Sequence, residues 1–476
     1  MLAVLVCLPL LLAVVSAAIP WYRVRSWLLA GAGLVHVVLA GLLVVHPLRA
    51  APPGAWVGLD PLSTLVLLVT SLLYLGCAVY AVPYLDMRRD RGNRLMVPAL
   101  LVFLSAMTLA VIARHLGVMW FAVESTTIAS APLIYYNRNA LSIEATWKYL
   151  LLCSVGIALA MLGILFIGYS ALGLGSHVSL QLDDLLRQGP QLSKPWLHTG
   201  FVFLLVGFGA KVGLAPLHSW KPDAYGEAPG LVGALLSGGL TSVAFLAVLR
   251  SVQIMNAAGD VAMARQALLG LGLLSLVLAS VFMVRQPDLK RMLAYSSVEH
   301  MGILAIGVAI GGLATFGAML HLVNNALTKG CLFLTAGNIQ RTFASKNLST
   351  VHGALSVLPV SGALFLAGFL AITGAPPFGP FLSEFTILRG IVQAGHPVVL
   401  VIVLAALATV FIGMGSTVLS ATQGTAGDPS VRGQDRFLLV APPLVMLLAV
   451  LMLGLYIPPP LRDLLQAAAD LLEATP

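Results

Sequence analysis

Charge is the scarcest commodity in this sequence. Only 9% of its 476 residues are Asp, Glu, Lys or Arg, where a soluble chain carries about 25%. So few charges cannot cover a water-exposed surface, so a soluble globular protein is excluded. Cysteine is also sparse: Cys7, Cys77, Cys153 and Cys331 stand alone in apolar runs with no CxxC pair. Neither a disulfide framework nor a cysteine-held metal cluster is expected. No phosphate-cradling glycine loop, no cluster of metal ligands and no hydrolase or transferase constellation is found. We therefore expect no catalytic centre, no metal and no cofactor in this chain. Disorder and nucleic-acid binding fail on composition as well.

What fills the sequence is apolar. Hydrophobic residues make up 59% of it, mean hydropathy is +0.97, and the excess runs along the whole length. An all-α polytopic membrane protein follows. At ~20 apolar residues per crossing helix, there is room for about fourteen. Hydropathy places them at 2–19, 27–45, 60–83, 96–113, 116–136, 145–169, 196–219, 230–249, 266–284, 292–311, 314–338, 356–394, 398–421 and 437–456. The twelfth is too long for one simple helix and is interrupted by Pro376 and Pro377. The opening run has no basic leader and is followed by Arg23 and Arg25, which reads as an uncleaved first helix.

The net charge of +8 is read as loop lysine and arginine orienting a membrane protein. Loops after odd-numbered segments hold 15 basic residues, Lys221, Lys290 and Arg432 among them; the others, with the tail, hold 7, including Arg49 and Arg250. The bias predicts both termini on the non-cytoplasmic side. Between segments six and seven, "SLQLDDLLRQ" reads either as a short amphipathic interfacial helix or as an ordered surface loop. The tail after Pro458–Pro460 has helical periodicity and predicts a short surface helix without chemistry. No soluble domain is expected.

Ionisable residues at bilayer depth cost roughly 2.5–3.5 kcal/mol each on insertion scales. Glu124 falls mid-way along the fifth segment and Lys211 lies just before Pro216 in the seventh. Glu299 and His300 lie in the first turns of the tenth, His321 and Lys329 deep in the eleventh, and Glu384 past the double proline of the twelfth. One such residue is accounted for by a structural polar contact. Charges of both signs on segments 5, 7, 11 and 12 read instead as stations along a wet polar path. Lys148 and Arg389 lie near segment ends, where a long side chain reaches the interface. His321, Asn325 and Lys329, spaced i, i+4, i+8, share one helical face over about 12 Å. That face suits proton carriers with water between them; a polar stripe packing on a neighbouring helix is the alternative.

The seventh and twelfth segments, "GFGAKVGLAPLHSWKPDAYGEAP" and "LAITGAPPFGPFLSEF", are both broken by Pro and Gly, each near an ionisable residue. Interrupted helices at matching places point to internal repeats with broken backbone lining a hydrated cavity. Helices 4–8 and 9–13 would form the repeats, and an odd helix count inverts one relative to the other. The corresponding divisions are 1–95 (helices 1–3), 96–250 (first repeat), 266–421 (second repeat) and 435–476 (helix 14 and tail).

Five motifs, taken in order, are familiar: "EATWKYLLLCSVG", "KVGLAPLHSWKPDAYGEAP", "DLKRMLAYSSVEHMG", "HLVNNALTKGCLFLTAG" and "GAPPFGPFLSEF". Over roughly residues 60–420 the chain resembles the antiporter-like, proton-translocating membrane subunits of respiratory complex I, Mrp cation/proton antiporters and group 4 [NiFe] hydrogenases. "VESTTIASAPLIYYNRNALSIEATWKYLLLCSVGIALA" and "SSVEHMG" place it nearest the hydrogenase 4 component F branch. The resemblance implies the fourteen-helix, inverted-repeat fold and a multi-subunit complex in a bacterial or archaeal inner membrane. Any nickel, iron–sulfur or flavin centre would belong to partner chains. It matches Glu124 to the family's fifth-helix glutamate, Lys211 to the seventh-helix lysine and His218 to the histidine after the break. His321, Lys329 and Glu384 match the eleventh- and twelfth-helix residues.

The departures concern the middle of the path. Family members commonly carry a lysine or histidine in the eighth helix; here "LLSGGLTSVAFLAVLR" has none and Thr241 stands in its place. Tyr225 replaces the usual histidine of the "PDAH" element, and Asn325 a frequent eleventh-helix histidine. Thr and Asn hold water but store no proton near neutral pH. Three functions follow as alternatives: an ion-conducting subunit of a redox-driven complex, an Mrp-type cation/proton antiporter subunit, and a non-pumping scaffold of the same fold.

Overall fold

The computed structural model describes residues 1–46, 52, 54–172, 179–425 and 433–473; Arg49 and Arg432 lie outside them. In chain order the helices are α1 (Leu2–Ala18), α2 (Tyr22–Val45), α3 (Pro61–Met87), α4 (Met96–Ile112), α5 (Leu116–Ile134), α6 (Ala140–Ser170) and α7 (Leu182–Arg187). They continue as α8 (Lys194–Val212), α9 (Trp220–Glu227), α10 (Gly230–Ala234), α11 (Thr241–Ala257), α12 (Val261–Met283), α13 (Leu289–Ile310) and α14 (Leu313–Phe343). The last are α15 (Ala354–Val357), α16 (Pro359–Ile372), α17 (Gly379–Gln393), α18 (Pro397–Thr422), α19 (Phe437–Leu455) and α20 (Pro459–Glu473). A π-helical turn, Leu235–Leu240, joins α10 to α11. Among the described residues, extended pairing is limited to isolated bridges such as Val57–Ala113.

Among the described residues, ten helices are long and apolar enough to cross a membrane, and Leu2–Ala18, Met96–Ile112 and Pro359–Ile372 are shorter apolar ones. The outward faces carry Val14, Val398, Ile412 and Phe437 exposed, as a surface solvated by lipid rather than water requires. This is a multi-pass membrane protein. Every apolar segment read from the sequence falls on a helix; the seventh takes in α8 and the break before α9, and the twelfth takes in α16 and α17.

Where boundaries differ, a polar group finds a partner inside the helix. The sixth segment starts at Ala140 rather than 145 because Asn139 and Ser142 form a reciprocal capping box. The eighth runs on past residue 249 because Arg250 stays buried: its Nη1 pairs with Asp60 Oδ2 at 2.6 Å and its Nη2 donates to Ser63 Oγ at 2.7 Å. Asp60 also caps α3, accepting from Ser63 N with Pro61 at the first helical position. The tenth starts at Leu289, where the Asp288 carboxylate accepts from the Lys290 and Arg291 amides. Glu299 and His300 therefore sit at mid-helix, not in the first turns as expected.

Four residues taken as loop cations are buried in helices: Arg25, Lys221, Lys290 and Arg250. The polar residues around each mimic a loop in sequence, but Lys290 donates to Ala228 O at 2.5 Å and to Gln340 Oε1 at 2.9 Å. Removing all four leaves the basic bias in the same direction.

α14 is the hub. It packs against α3, α10, α13, α16, α17, α19 and α20 and is buried nearly all round, the condition under which a helix carries polar residues inside a bundle rather than on one outer stripe. α6 and α8 approach closely through Gly156, Gly163, Gly200 and Gly207; a Cβ on Gly207 would lie 2.5 Å from Ala160 N. Small residues at such crossings let backbones touch where lipid supplies no hydrophobic drive. The ambiguous segment "SLQLDDLLRQ" forms a six-residue helix whose Leu182 and Leu185 are buried and whose Asp183 pairs with Arg114, so it packs on protein. The tail forms α20, with Leu465, Ala468, Ala469 and Leu472 buried. Its Glu473 accepts from Gly312 N at 3.0 Å and Thr315 Oγ1 at 2.6 Å.

Candidate functional site

The first half of the site is built by α5, α6 and α8. Glu124 and Lys211, on different helices, meet through Thr127: its hydroxyl donates to Glu124 Oε2 at 3.0 Å and accepts from Lys211 Nζ at 2.8 Å. Thr127 is one turn from Glu124 on α5, so helical geometry alone brings their side chains together. Ser154 of α6 donates to the other carboxylate oxygen at 3.1 Å. Lys211 also donates to Tyr149 Oη at 2.7 Å and lies 4.6 Å from that ring's centroid. Tyr149 in turn shares a 2.7 Å hydrogen bond with Ser130 Oγ. Lys211, Thr127, Tyr149 and Ser130 are buried, while Glu124 is half-buried. The result is a continuous line of exchangeable protons from a carboxylate to an ammonium.

The second half is built by α13, α14 and α17. His300 Nδ1 and His321 Nε2 are 3.0 Å apart, and His321 Nδ1 lies 3.0 Å from Ser383 Oγ. Glu299 accepts from Ser296 Oγ at 3.4 Å and lies 3.7 Å from His300 Nε2. Lys329 Nζ donates to Leu293 O at 3.3 Å. His321 and Lys329 thus both face α13, the shared face their spacing predicts. Asn325 is buried beside them, and neither its oxygen nor its nitrogen has a protein partner; the same holds for Asn324, Glu384 Oε1 and His218 Nδ1. A buried amide without a hydrogen bond is costly, about 1–3 kcal/mol, so this cluster is chemically a place for water.

The two broken helices share a construction. α8 ends on Gly213 at φ +75° and α16 is followed by Gly374 at φ +71°, a conformation glycine adopts without steric cost. Onto each glycine folds an ionisable side chain from the second half-helix. A Cβ on Gly213 would lie 2.3 Å from Lys221 Cε, and one on Gly374 would lie 2.3 Å from Glu384 Oε2.

The remaining residues singled out from sequence are placed as follows. His218 is half-buried, its ring 6.5 Å from Tyr295. Tyr225 donates to Leu236 O at 3.0 Å, at the π-helical turn. Thr241 donates to Ser237 O at 2.5 Å and, among the described residues, has no hydrogen bond to a charged group. Lys148 remains at the rim, 46% exposed and paired with Glu144 and Asp223, and Arg389 is exposed. Thr127, Ser154, Tyr149, Ser383 and above all Lys221 were not legible as site residues in sequence.

The sequence shows no metal-ligand cluster, but the fold assembles one: His300, His321 and Glu384 each offer a ligand atom, all within 4.8 Å of one another. Two imidazoles and a carboxylate are a donor set that zinc or a similar borderline cation accepts.

Comparison with known proteins bears on this geometry. Residues 113–411 match the family model described as NADH:quinone oxidoreductase/Mrp antiporter, TM. The chain is 32% identical to the "Hydrogenase-4 component F homolog" of Methylacidiphilum infernorum, covering 99% of both chains. Its fold is that of a chain in respiratory complex I from Thermus thermophilus, at TM-score 0.84 and 26% identity, covering 99% of this chain and 100% of that one. It is also that of a chain in the Mrp complex from Dietzia sp. DQ12-45-1b, at TM-score 0.88 and 20% identity, covering 99% and 97%. Both solved chains come from complexes. Its sequence places this chain in the NADH:quinone oxidoreductase/Mrp antiporter transmembrane family.

Proposed function

We propose that this chain is a proton-translocating, antiporter-like membrane subunit of a redox-driven complex such as a group 4 membrane-bound hydrogenase or complex I-like dehydrogenase. The observation that carries the reading is the Glu124–Thr127–Lys211–Tyr149 line. A carboxylate and an amine joined through one hydroxyl are coupled: protonating Glu124 weakens its hold on the Thr127 proton and frees Lys211 to shed its own. Charge then passes inward and is received by the Lys329–Glu299–His300–His321 group, with Glu384 at the far break. Water bridges the steps that Asn325, Tyr225 and Thr241 cannot make as proton stores.

In this reading the chain crosses the inner membrane of a bacterium or archaeon fourteen times with both termini non-cytoplasmic. Helices 4–8 and 9–13 are inverted repeats, a relation supported by the matching glycine-and-charge construction of the two breaks. Electron transfer occurs in partner subunits, which hold the redox centres, and this chain binds no cofactor. The Mrp-type alternative shares the same side chains and differs in its partners and driving force.

The test is proton uptake by proteoliposomes holding the complex that co-purifies with this chain. Lys211→Ala is expected to abolish most uptake while electron transfer continues or slows with it. Co-purifying hydrogenase or dehydrogenase subunits support the redox-driven reading; a set of small antiporter subunits and uptake driven by a cation gradient alone support the Mrp one.

A further inference from the structure

The sequence leaves a gap at the centre of the path, because no ionisable residue lies between Gly230 and Arg250. We infer that Lys221, on the second half of the first broken helix, is the basic station that joins the two halves of the proton path in place of an eighth-helix base. This rests on the proposed function and names a residue that reading did not supply.

Lys221 is wholly buried, although the run "HSWKPDAYGE" around it is polar. Its helix-mate Asp223 turns to the rim, pairing with Lys148 at 2.9 Å and Arg291 at 2.5 Å, while Lys221 turns inward. No carboxylate pairs with it among the described residues. Its Nζ donates one long hydrogen bond, 3.3 Å to Ser297 Oγ, and lies 5.9 Å from the Tyr225 ring centroid. A structural lysine in a membrane core is held by a counter-ion or by close oxygen acceptors, as Lys290 is by Ala228 O and Gln340 Oε1; Lys221 has only the long Ser297 contact.

Its position is defined on both sides. Toward the first half it lies against Gly213, two residues beyond Lys211, where a Cβ would come within 3.0 Å of Nζ. The C-terminal end of α8 there presents carbonyl dipoles that favour a cation. Toward the second half its partner Ser297 is on α13, two residues before Glu299. The packing of Lys221 on Gly213 repeats that of Glu384 on Gly374. Lys221 accepts a proton through water from the Lys211 side and releases one through water toward Glu299 and Lys329. It returns to the same amine; only N–H bonds of the amines and O–H bonds of the waters and the Glu299 carboxyl are made and broken, with no net change in Lys221.

The test uses the intact complex in proteoliposomes, with protons moved per electron as the readout and co-purification of the partner subunits as the check on assembly. Lys221→Met and Lys221→Gln, the latter keeping a donor for Ser297, are each expected to lower proton translocation at least about tenfold. Lys221→Arg retains a substantial part. Adding Thr241→Lys to Lys221→Met, which returns a base to the eighth helix, is expected to restore translocation several-fold, a rescue that a merely structural lysine does not allow. Wild-type stoichiometry in either neutral variant, with Lys211→Ala abolishing it, overturns the role of Lys221 and leaves the function standing. Wild-type stoichiometry in Lys211→Ala as well overturns the function itself. If neither neutral variant assembles, Lys221→Met with Thr241→Lys decides: assembly with translocation supports the relay, and assembly without it refutes it, as does failure of this variant to assemble.

Discussion

Glu124 and Lys211 do not touch; a single hydroxyl, that of Thr127, donates to one and accepts from the other at 3.0 and 2.8 Å. An ion pair in direct contact would hold its proton tightly in a low-dielectric interior. A hydroxyl between the two keeps them coupled yet separable, as a carrier must be. Hydrogen bonds to charged groups contribute about 1.5–3 kcal/mol. Thr127→Val, which removes the hydroxyl at nearly constant volume, is therefore expected to lower proton translocation about tenfold or more. Thr127→Ser should keep most of it. Translocation per electron in proteoliposomes measures both.

Asp60 and Arg250 illustrate charge used for structure instead. Burial alone would raise the Asp60 pKa, but the Arg250 charge and hydrogen bond, the Ser63 amide and Arg114 together hold it down at about 2, against 3.8 ordinarily. The folded value is below the unfolded one. Asp60 therefore stabilises the fold fully above about pH 4, by about 2 kcal/mol, and loses this as pH falls through about 2. Asp60→Asn also leaves Arg250 buried without its counter-ion, and a loss of about 3–5 kcal/mol is expected. Thermal unfolding in detergent at neutral pH checks the magnitude, and a smaller difference between variant and parent at low pH checks the sign.

Gly374 has a positive φ and no room for a methyl group, because a Cβ there would lie 2.3 Å from Glu384 Oε2. Gly374→Ala combines backbone strain of about 1–2 kcal/mol with displacement of the carboxylate. It should lower both the melting temperature and proton translocation. Gly31→Ala, where nothing lies within 4 Å of the added carbon, is the neutral comparison.

The His300–His321 contact predicts a different signature. His321→Ala breaks bonds to both His300 and Ser383 and also dismantles the His300–His321–Glu384 donor set. If added zinc slows translocation in the parent complex by occupying these three ligands, His321→Ala should remove that sensitivity while lowering the basal rate. Titrating translocation against zinc in both forms shows it.

Apolar runs made most of the architecture legible, since helices that cross lipid announce themselves by length and hydropathy, and the prolines of the seventh and twelfth segments mark real breaks. Glu124, Lys211, His321 and Lys329 stood out because charge inside apolar sequence is rare. Lys221 did not, because Lys-Pro-Asp beside Ser and Tyr has the local composition of a loop; only the fold turns Asp223 outward and Lys221 inward. Thr127 and Tyr149 carry no charge, and nothing local marks a hydroxyl as the partner of a lysine 84 or 62 residues away. The Asp60–Arg250 pair spans 190 residues and depends on tertiary packing for the same reason.

The most direct measurement is the number of protons moved per electron by the reconstituted complex carrying Glu124→Gln or Lys211→Ala. The account predicts that both variants assemble, and that each moves markedly fewer protons per electron than the parent. An unchanged ratio in both variants contradicts it and makes the chain a scaffold.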